Sequence, residues 1–125
     1  MKYKSELQLQ AIIWQWFYNS FPEFRLPKVG NNPRCLLIHN LLNAKSHIEA
    51  AKLSGAGLTK GFPDLTLFVP SKGFHGLHIE LKLQGQKPRK EQIEVLEALK
   101  AQNYQTCVCD NHEDAQKIIK EYLAL

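Results

Sequence analysis

Residues 61–83 read GFPDLTLFVPSKGFHGLHIELKL and contain the most informative pattern of the chain. It predicts two strands, Asp64–Val69 and Leu77–Leu83, because each is rich in β-branched, aromatic and aliphatic residues and is bounded by glycine or proline. The loop between them, residues 70–76, contains Pro70 and two glycines, which are typical of a turn. A connection this short predicts an antiparallel hairpin.

The second strand of this hairpin alternates apolar and polar side chains, so Glu80 and Lys82 share one face. Asp64 begins the neighbouring strand, and a hairpin can bring it beside Glu80, although the pattern leaves the register open. Two adjacent carboxylates repel each other unless a cation lies between them, and their hard oxygens suit Mg²⁺ or Mn²⁺. The backbone carbonyl of Leu81 can add a ligand. Alternating charges are also typical of the solvated face of a sheet, and that alternative stays open.

The rest of the chain supplies six further elements around this hairpin. They are a helix over Ser5–Asn19, a strand over Arg34–Asn40, a short helix over Ser46–Leu53, a helix over Pro88–Gln102, a strand over Tyr104–Cys109 and a helix over Asn111–Leu123. Residues 22–33, with three prolines and a Gly-Asn-Asn-Pro turn, are expected to be irregular. The order predicts a single α/β domain over residues 1–125, an α-β-α core with a mixed sheet, in which residues 77–104 form a parallel crossover.

The residues of this region resemble a known family. Residues 61–65, GFPDL, followed by residues 79–82, IELK, resemble the PD-(D/E)xK nuclease signature. Together with Gly55-Ala56 and Gln92 they resemble the VRR-NUC family of that superfamily. The resemblance covers nearly the whole chain and departs at Asn43-Ala44, where family members often carry an acidic residue after the asparagine.

The resemblance implies a restriction-endonuclease-like core and a Mg²⁺- or Mn²⁺-dependent endonuclease that hydrolyses phosphodiester bonds in DNA. Asp64 and Glu80 match the metal-ligating carboxylates, and Lys82 matches the catalytic lysine. Glu6 matches an acidic residue that approaches the metal, and Gln92 matches a glutamine of the following helix. It further implies a homodimer that acts on four-way junctions or other branched DNA in replication, recombination or repair.

Helical phase gives independent support to Glu6 and Gln92, since each lies in phase with the apolar residues of its helix. Inward-facing polar groups need partners, and a shared polar site provides them. The alternatives are a glutamate favoured by the helix dipole and an ordinary surface glutamine. The apolar residues expected to face inward are Leu9, Ile12, Ile13, Trp16 and Phe17 in the first helix, Ile93, Val95, Leu96 and Leu99 in the third, and Ala115, Ile118, Ile119 and Tyr122 in the last.

Composition and charge allow a nucleic-acid partner without requiring one. Sixteen basic and twelve acidic residues give a net charge of +4, and several basic or histidine side chains flank the proposed site. No apolar run suggests a membrane span or a secretory signal, and three cysteines favour a reduced compartment, the cytoplasm of a bacterial or phage-infected cell. The residues predicted to contact DNA are Lys60, His78, Lys87, Arg89 and Lys90.

Other interpretations of the sequence are kept as alternatives. His39-Asn40 could belong to a ββα-metal nuclease, and Cys107-x-Cys109 with His112 could bind zinc, but neither has the further ligands such sites need. No small-molecule cofactor is expected, because residues 55–61 lack the Gly-Lys-Ser/Thr of a nucleotide-binding loop. A non-catalytic nucleic-acid-binding module is the main functional alternative, and a subunit that binds another protein is a second. Trp14 and Tyr18 could form an interface between two copies.

Overall fold

A computed structural model of the chain describes residues 2–40 and 47–124 and shows a mixed α/β fold. Ser46, the predicted start of the short helix, and Asn43-Ala44 lie outside the described residues. The helices are α1 Glu6–Ser20, α2 His47–Gly55, α3 Lys90–Ala101 and α4 His112–Leu123, with a 3₁₀ turn over Pro22–Phe24. The strands are β1 Arg25–Val29, β2 Asn32–Cys35, β3 Leu37–His39, β4 Leu65–Leu67, β5 Leu77–Leu81 and β6 Gln105–Cys109.

A four-stranded mixed sheet, in the order β3-β4-β5-β6, positions the site. Strand β4 is antiparallel to both β3 and β5, whereas β5 and β6 are parallel. The predicted hairpin and crossover are therefore confirmed. Leu65 pairs with Ile79, so one step further along the ladder Asp64 lies opposite Glu80.

The apolar face of the sheet packs against α1 and α4 and forms the core. Alternation along β5 puts Leu77, Ile79 and Leu81 on this face, and all three are fully buried. The inward faces of α1 and α4 complete it, as their spacing predicted. The core comprises Leu9, Ile13, Phe17, Cys35, Leu37, Leu65, Leu67, Leu77, Ile79, Leu81, Cys109, Ala115, Ile119 and Tyr122.

The opposite face of β5 is polar but equally buried. His78 is 3% exposed, Glu80 1% and Lys82 7%, so the alternative of a solvated face is wrong for this strand. Helix α3 contributes to this cover, since Gln92 in its first turn hydrogen-bonds to Glu80. Burial of charged groups on this scale requires specific partners, and these define the candidate site.

Residues 22–35 form ordered structure where irregular chain was expected. Strands β1 and β2 make an antiparallel two-stranded sheet of their own, joined by a turn at Gly30-Asn31. Pro27 is tolerated because it lies in an exposed ribbon, and its carbonyl accepts from the Arg34 guanidinium at 2.8 and 2.6 Å. The single strand predicted over Arg34–Asn40 is divided at Leu36, whose N–H donates to Phe24 and whose carbonyl accepts from Phe68.

Helix packing corrects one expectation, in α3, and shows the surroundings of two aromatic residues in α1. In α3, Ile93 is 47% exposed whereas Gln92 and Leu96 are buried, because the inward face is centred one position, about 100°, away from Ile93. In α1, Trp14 and Tyr18 are half-buried and stack on each other, and the Trp14 indole donates to the Leu37 carbonyl at 2.8 Å. These aromatic rings have partners within the chain and are partly exposed, and an interface between two copies at this face stays a prediction.

Candidate active site

Asp64 is held at the end of a sharp turn, immediately before β4. Its Oδ2 accepts the backbone N–H of Leu81 at 2.7 Å, which ties the carboxylate to the end of β5. Its own backbone carbonyl accepts the N–H of Asn40 at 2.9 Å. Asp64 is therefore fixed between the strands on either side of it, with its side chain 8% exposed.

Glu80 lies in the middle of the buried polar face with only part of its carboxylate satisfied. Its Oε1 accepts from Gln92 Nε2 at 2.8 Å and lies 3.9 Å from Lys82 Nζ. Its Oε2 is buried and has no hydrogen-bond partner among the described residues. A buried, unpartnered carboxylate oxygen is costly and indicates a group that is completed by something else, such as a bound cation.

The electrostatics of Asp64 and Glu80 also indicate a site that a bound cation would complete. Burial, followed by the nearby Asp64 charge, raises the pKa of Glu80 to about 8 despite the opposing effect of Lys82. Burial also raises the pKa of Asp64, although the Leu81 N–H opposes this, and the Glu6 carboxylate adds to the increase. Burial and the neighbouring carboxylates thus disfavour the ionised form of both groups, and a bound cation would favour it.

Gln92 orients Glu80 through both ends of its amide. Its Oε1 accepts the backbone N–H of Arg89 at 2.8 Å, which leaves Nε2 to donate to Glu80. The Arg89 N–H is one of the donors that a helix N-terminus leaves free, so a capping interaction of α3 also aims the amide. Gln92 therefore faces inward and has hydrogen-bond partners there, as expected from its helical phase.

A cavity of about 780 Å³ opens beside these groups. Asp64, Lys82 and Gln92 line it, and the half-buried Glu6 of α1 lines it from another side. Glu80 is not at its wall and lies beneath, bonded to Gln92. The remaining lining residues are Asn40, Leu53, Ser54, Ala56, Gly57, Leu58, Thr59, Lys60, Gly61, Phe62 and Arg89.

The basic residues expected around the site divide into two groups. Lys60 and Arg89 line the cavity, and the Arg89 guanidinium lies 3.0 Å from the Glu91 carboxylate. Lys87 and Lys90 are exposed beside it in the chain but are not part of the cavity wall.

The prediction that His78 contacts DNA is wrong, because its side chain is buried. It is 3% exposed, and burial lowers its pKa to about 4. Its Nδ1 lies 2.7 Å from Thr66 Oγ1, and Asn40 Nδ2 donates to the same Oγ1 at 2.7 Å. Sequence reasoning missed Thr66, although alternation along β4 places it on the face of Asp64. It considered Asn40 only in the context of a different metal site.

Two oxygen donors of the site are of the kind that a hard divalent cation takes. Among residues 2–40 and 47–124, no three His, Cys, Asp or Glu side chains form a metal-binding cluster. Asp64 and the free oxygen of Glu80 are hard donors. The N–H and carbonyl of one strand residue point to the same edge of the strand, so the Leu81 carbonyl also faces Asp64.

The cysteines form no comparable site. Cys107 and Cys109 are free thiols with their sulfur atoms 3.9 Å apart. His112 is engaged elsewhere, by the Tyr3 hydroxyl at 2.6 Å and by Glu113 at 2.7 Å.

Comparison with known proteins identifies the family and the fold. The family model described as the VRR-NUC domain matches residues 4–113. A solved structure titled "VRR_NUC domain protein" superposes with a TM-score of 0.77 at 25% identity, covering 100% of this chain and 93% of the other. No curated protein matches the chain. Among the described residues, no helix is long and apolar enough to cross a bilayer.

Proposed function

This chain belongs to the VRR-NUC family and has its nuclease-type fold, and from this premise we propose that it is a Mg²⁺- or Mn²⁺-dependent endonuclease that hydrolyses phosphodiester bonds in DNA. One observation carries the proposal. Asp64 and Glu80, both buried, face each other next to Lys82, and the inner oxygen of Glu80 has no partner. A purely structural sheet gains nothing from this arrangement, because burial and the neighbouring Asp64 charge both raise the pKa of Glu80 and so disfavour its ionised form.

Asp64, Glu80 and the Leu81 carbonyl are the groups that would hold the cation, and Glu6 would add negative charge from α1. These groups would hold a divalent cation that, when bound, would supply Lewis-acid chemistry, acidifying water and stabilising charge on a phosphate. Lys82 supplies an ammonium at the cavity wall, kept close by Glu80, where it can stabilise developing negative charge or orient a water molecule. Gln92 keeps Glu80 in one rotamer, so that the carboxylate does not need to reorganise during the reaction.

The proposed substrate is branched or duplex DNA. Lys60 and Arg89 at the cavity, with Lys87 and Lys90 beside it, offer positive charge to phosphates on both sides of the cleaved bond. One chain supplies one such site, and two copies acting as a homodimer would present two sites to the paired strands of a four-way junction. Such a protein would act in replication, recombination or repair, in the reducing cytoplasm that its free cysteines suit.

Cleavage assays on junction, flap and plain duplex DNA with Mn²⁺ or Mg²⁺ test the proposal. We expect Lys82→Met and Asp64→Asn each to lower the cleavage rate by about 10²–10³-fold, because each removes a charge used at the reacting phosphate. Lys117→Met is the control, since Lys117 is an exposed lysine of α4 that does not line the cavity. It should cleave like the unaltered chain.

Cleavage that survives both Lys82→Met and Asp64→Asn would overturn the assignment. DNA binding without turnover in either metal would favour the non-catalytic binding module instead. A junction, flap and duplex cut at equal rates would retain the nuclease and remove the selectivity for branched DNA.

A further inference from the structure

Behind the two carboxylates, three polar side chains form a continuous hydrogen-bonded chain on the same face of the sheet. Asn40 follows the end of β3, Thr66 is in β4 and His78 is in β5. Thr66 is two residues after Asp64, and His78 is two residues before Glu80. The pair Thr66–His78 is therefore two steps along the ladder from Asp64–Glu80 and faces the same side, with Leu65–Ile79 between them on the other side.

The donor and acceptor roles in this chain follow from elimination. Asn40 Nδ2 lies 3.1 Å from the Pro63 carbonyl, which can only accept, so the amide nitrogen is assigned correctly. Its second proton goes to Thr66 Oγ1 at 2.7 Å. If the Thr66 hydroxyl then donates to His78 Nδ1, one polar group of these three side chains is left without a partner among the described residues. That group is the Nε2–H of His78. If Nδ1 donates to Thr66 instead, two are left, the hydroxyl proton and Nε2.

Because a buried polar group without a partner is costly, the arrangement with one such group is favoured over that with two. His78 is then neutral and carries its proton on Nε2. The rings of Phe62 and Tyr104 pack against the imidazole, with centroids at 5.5 and 4.9 Å, and hold it in this position.

The chain of bonds acts on the backbone that carries Asp64. Asn40 binds the Pro63 carbonyl through its side chain and the Asp64 carbonyl through its backbone N–H. The turn that aims Asp64 is thus attached to β3, while Thr66 and His78 attach β4 to β5 on the polar face. When both carboxylates are ionised, as cation binding requires, repulsion between Asp64 and Glu80 tends to separate these two strands, and the bonds behind them oppose it.

We propose that Asn40, Thr66 and His78 form a positioning network that holds Asp64 and Glu80 at the separation a divalent cation requires, with His78 as the neutral Nε2–H tautomer. Thr66 and His78 are buried behind the carboxylates, and Asn40, which lines the cavity, acts through its bonds to the backbone that carries Asp64. The inference deepens the proposed function, on which its metal-binding part rests. Its tautomer part rests on the hydrogen bonds alone.

The ¹⁵N resonances of the His78 ring, measured on the metal-free chain at neutral pH and assigned with His78→Gln, test the tautomer directly. We expect a protonated Nε2 and an unprotonated Nδ1 that accepts a hydrogen bond. In Thr66→Val, the shift of Nδ1 should move towards that of a free imidazole nitrogen. A His78 that is charged, or protonated on Nδ1, overturns the proposal, and this measurement on the unaltered chain does not require Thr66→Val to fold.

Mn²⁺ titration by calorimetry, without DNA, tests the positioning role. Thr66→Val removes one hydroxyl at nearly constant volume, and we expect the Kd for Mn²⁺ to rise by about tenfold, as for other partners of metal-ligating groups. Thr66→Ser restores the hydroxyl and should bring the Kd back to within about threefold of the unaltered chain. Thr106→Val is the matched control, because Thr106 pairs with His78 from the other neighbouring strand without a hydrogen bond to it.

The possible failures are distinguishable. If the unaltered chain binds Mn²⁺ and Thr66→Val binds it equally well, the positioning role is wrong and the proposed nuclease stands. An equal loss in Thr106→Val would likewise overturn it, because the effect would then be general to the sheet. If the unaltered chain neither binds Mn²⁺ nor cleaves DNA, the proposed function fails, and the tautomer measurement alone decides whether the hydrogen-bonded chain is as described.

Discussion

At the scale of single residues, Glu80 links the stability of the protein to its proposed metal. Its carboxyl is 1% exposed, and burial together with Asp64 raises its pKa to about 8 from an ordinary value of 4.5. At neutral pH and without metal, the folded chain therefore keeps a proton on Glu80 that the unfolded chain has lost. A cation that takes the place of this proton makes the ionised form acceptable.

This difference predicts a pH-dependent stability for the metal-free chain. A pKa raised on folding contributes stability that is fully present below about pH 4.5 and is lost as the pH rises through about 8. Glu80→Gln keeps an oxygen for Gln92 to bind and removes the ionisation. In EDTA we expect the variant to match the unaltered chain near pH 5 and to exceed it at pH 9, by a free energy of unfolding on the order of a few kcal/mol.

Urea denaturation at the two pH values measures this, with Glu94→Gln as the control on the exposed face of α3. Adding Mn²⁺ should reverse the order at pH 9, because only the unaltered chain gains stability from binding. A variant that is no more stable than the unaltered chain at pH 9 in EDTA would mean that the Glu80 carboxyl is not destabilised by its surroundings.

At the scale of elements, the loop before β4 and the first turn of α3 must approach very closely for the site to exist. Gly61 has φ of +86°, and a Cβ there would lie 2.7 Å from the Glu91 carbonyl oxygen. Glu91 is the neighbour of Gln92, which binds Glu80. The glycine thus lets the loop that leads to Asp64 pack directly on the helix that orients Glu80.

Gly61→Ala should therefore separate these two elements as well as strain the backbone. Gly85 is a matched control, because its φ of +87° is almost the same and a Cβ there meets nothing within 4 Å. We expect Gly85→Ala to lose only the conformational term, about 1–2 kcal/mol of unfolding free energy. Gly61→Ala should lose more unfolding free energy than Gly85→Ala. It should also lower the cleavage rate at saturating DNA by about tenfold or more, since moving the loop away from α3 misplaces catalytic groups.

Thermal unfolding and single-turnover cleavage, measured on both variants, separate the two effects. If Gly61→Ala and Gly85→Ala lose equal stability and cleave equally well, the close approach of the loop to α3 has no role in the site.

The elements that sequence reasoning found are those with a strong period. Strand β5 alternates strictly and α4 repeats its apolar residues at helical spacing, and both were predicted to within about two residues. The β1–β2 ribbon was missed, because its exposed side chains give no alternation and Pro27 usually argues against a strand. Proline is rare in central strands, because it lacks an N–H to pair. The ribbon has only two strands, each of them at an edge, so Pro27 is tolerated there.

The candidate site was predictable as far as the identity of its ionisable residues. The structure brings Asp64, Glu80, Lys82 and Gln92 together, as the sequence predicted. They could be identified because strand period, helix phase and the family signature all depend on local spacing. The roles of His78 and Asn40 were not predictable, since they depend on which strands are neighbours and in what register. Only the pairing of β3 with β4 brings Asn40 to the Pro63 carbonyl.

At the scale of the whole molecule, the net charge of +4 is too small to explain DNA binding by itself. The positions of the basic residues around the cavity must therefore account for the rest of the attraction to DNA. Lys60 lies at the cavity, and Lys87 and Lys90 are exposed on the segment that leads into α3. If these residues contact phosphates, each releases about one counterion on binding, and the logarithm of affinity falls steeply with the logarithm of salt concentration.

Two triple variants of equal charge test placement against total charge. Replacing Lys60, Lys87 and Lys90 by Ala gives a net charge of 4 − 3 = +1, and so does replacing Lys28, Lys117 and Lys120, which are exposed elsewhere. Fluorescence anisotropy with a four-way junction in EDTA, over a range of salt concentrations, measures both. The first variant should reduce the salt slope by about 2–3, and the second should leave it nearly unchanged. Equal reductions would mean that the chain is held to DNA by its overall charge, and the border of the cavity would lose its assigned role.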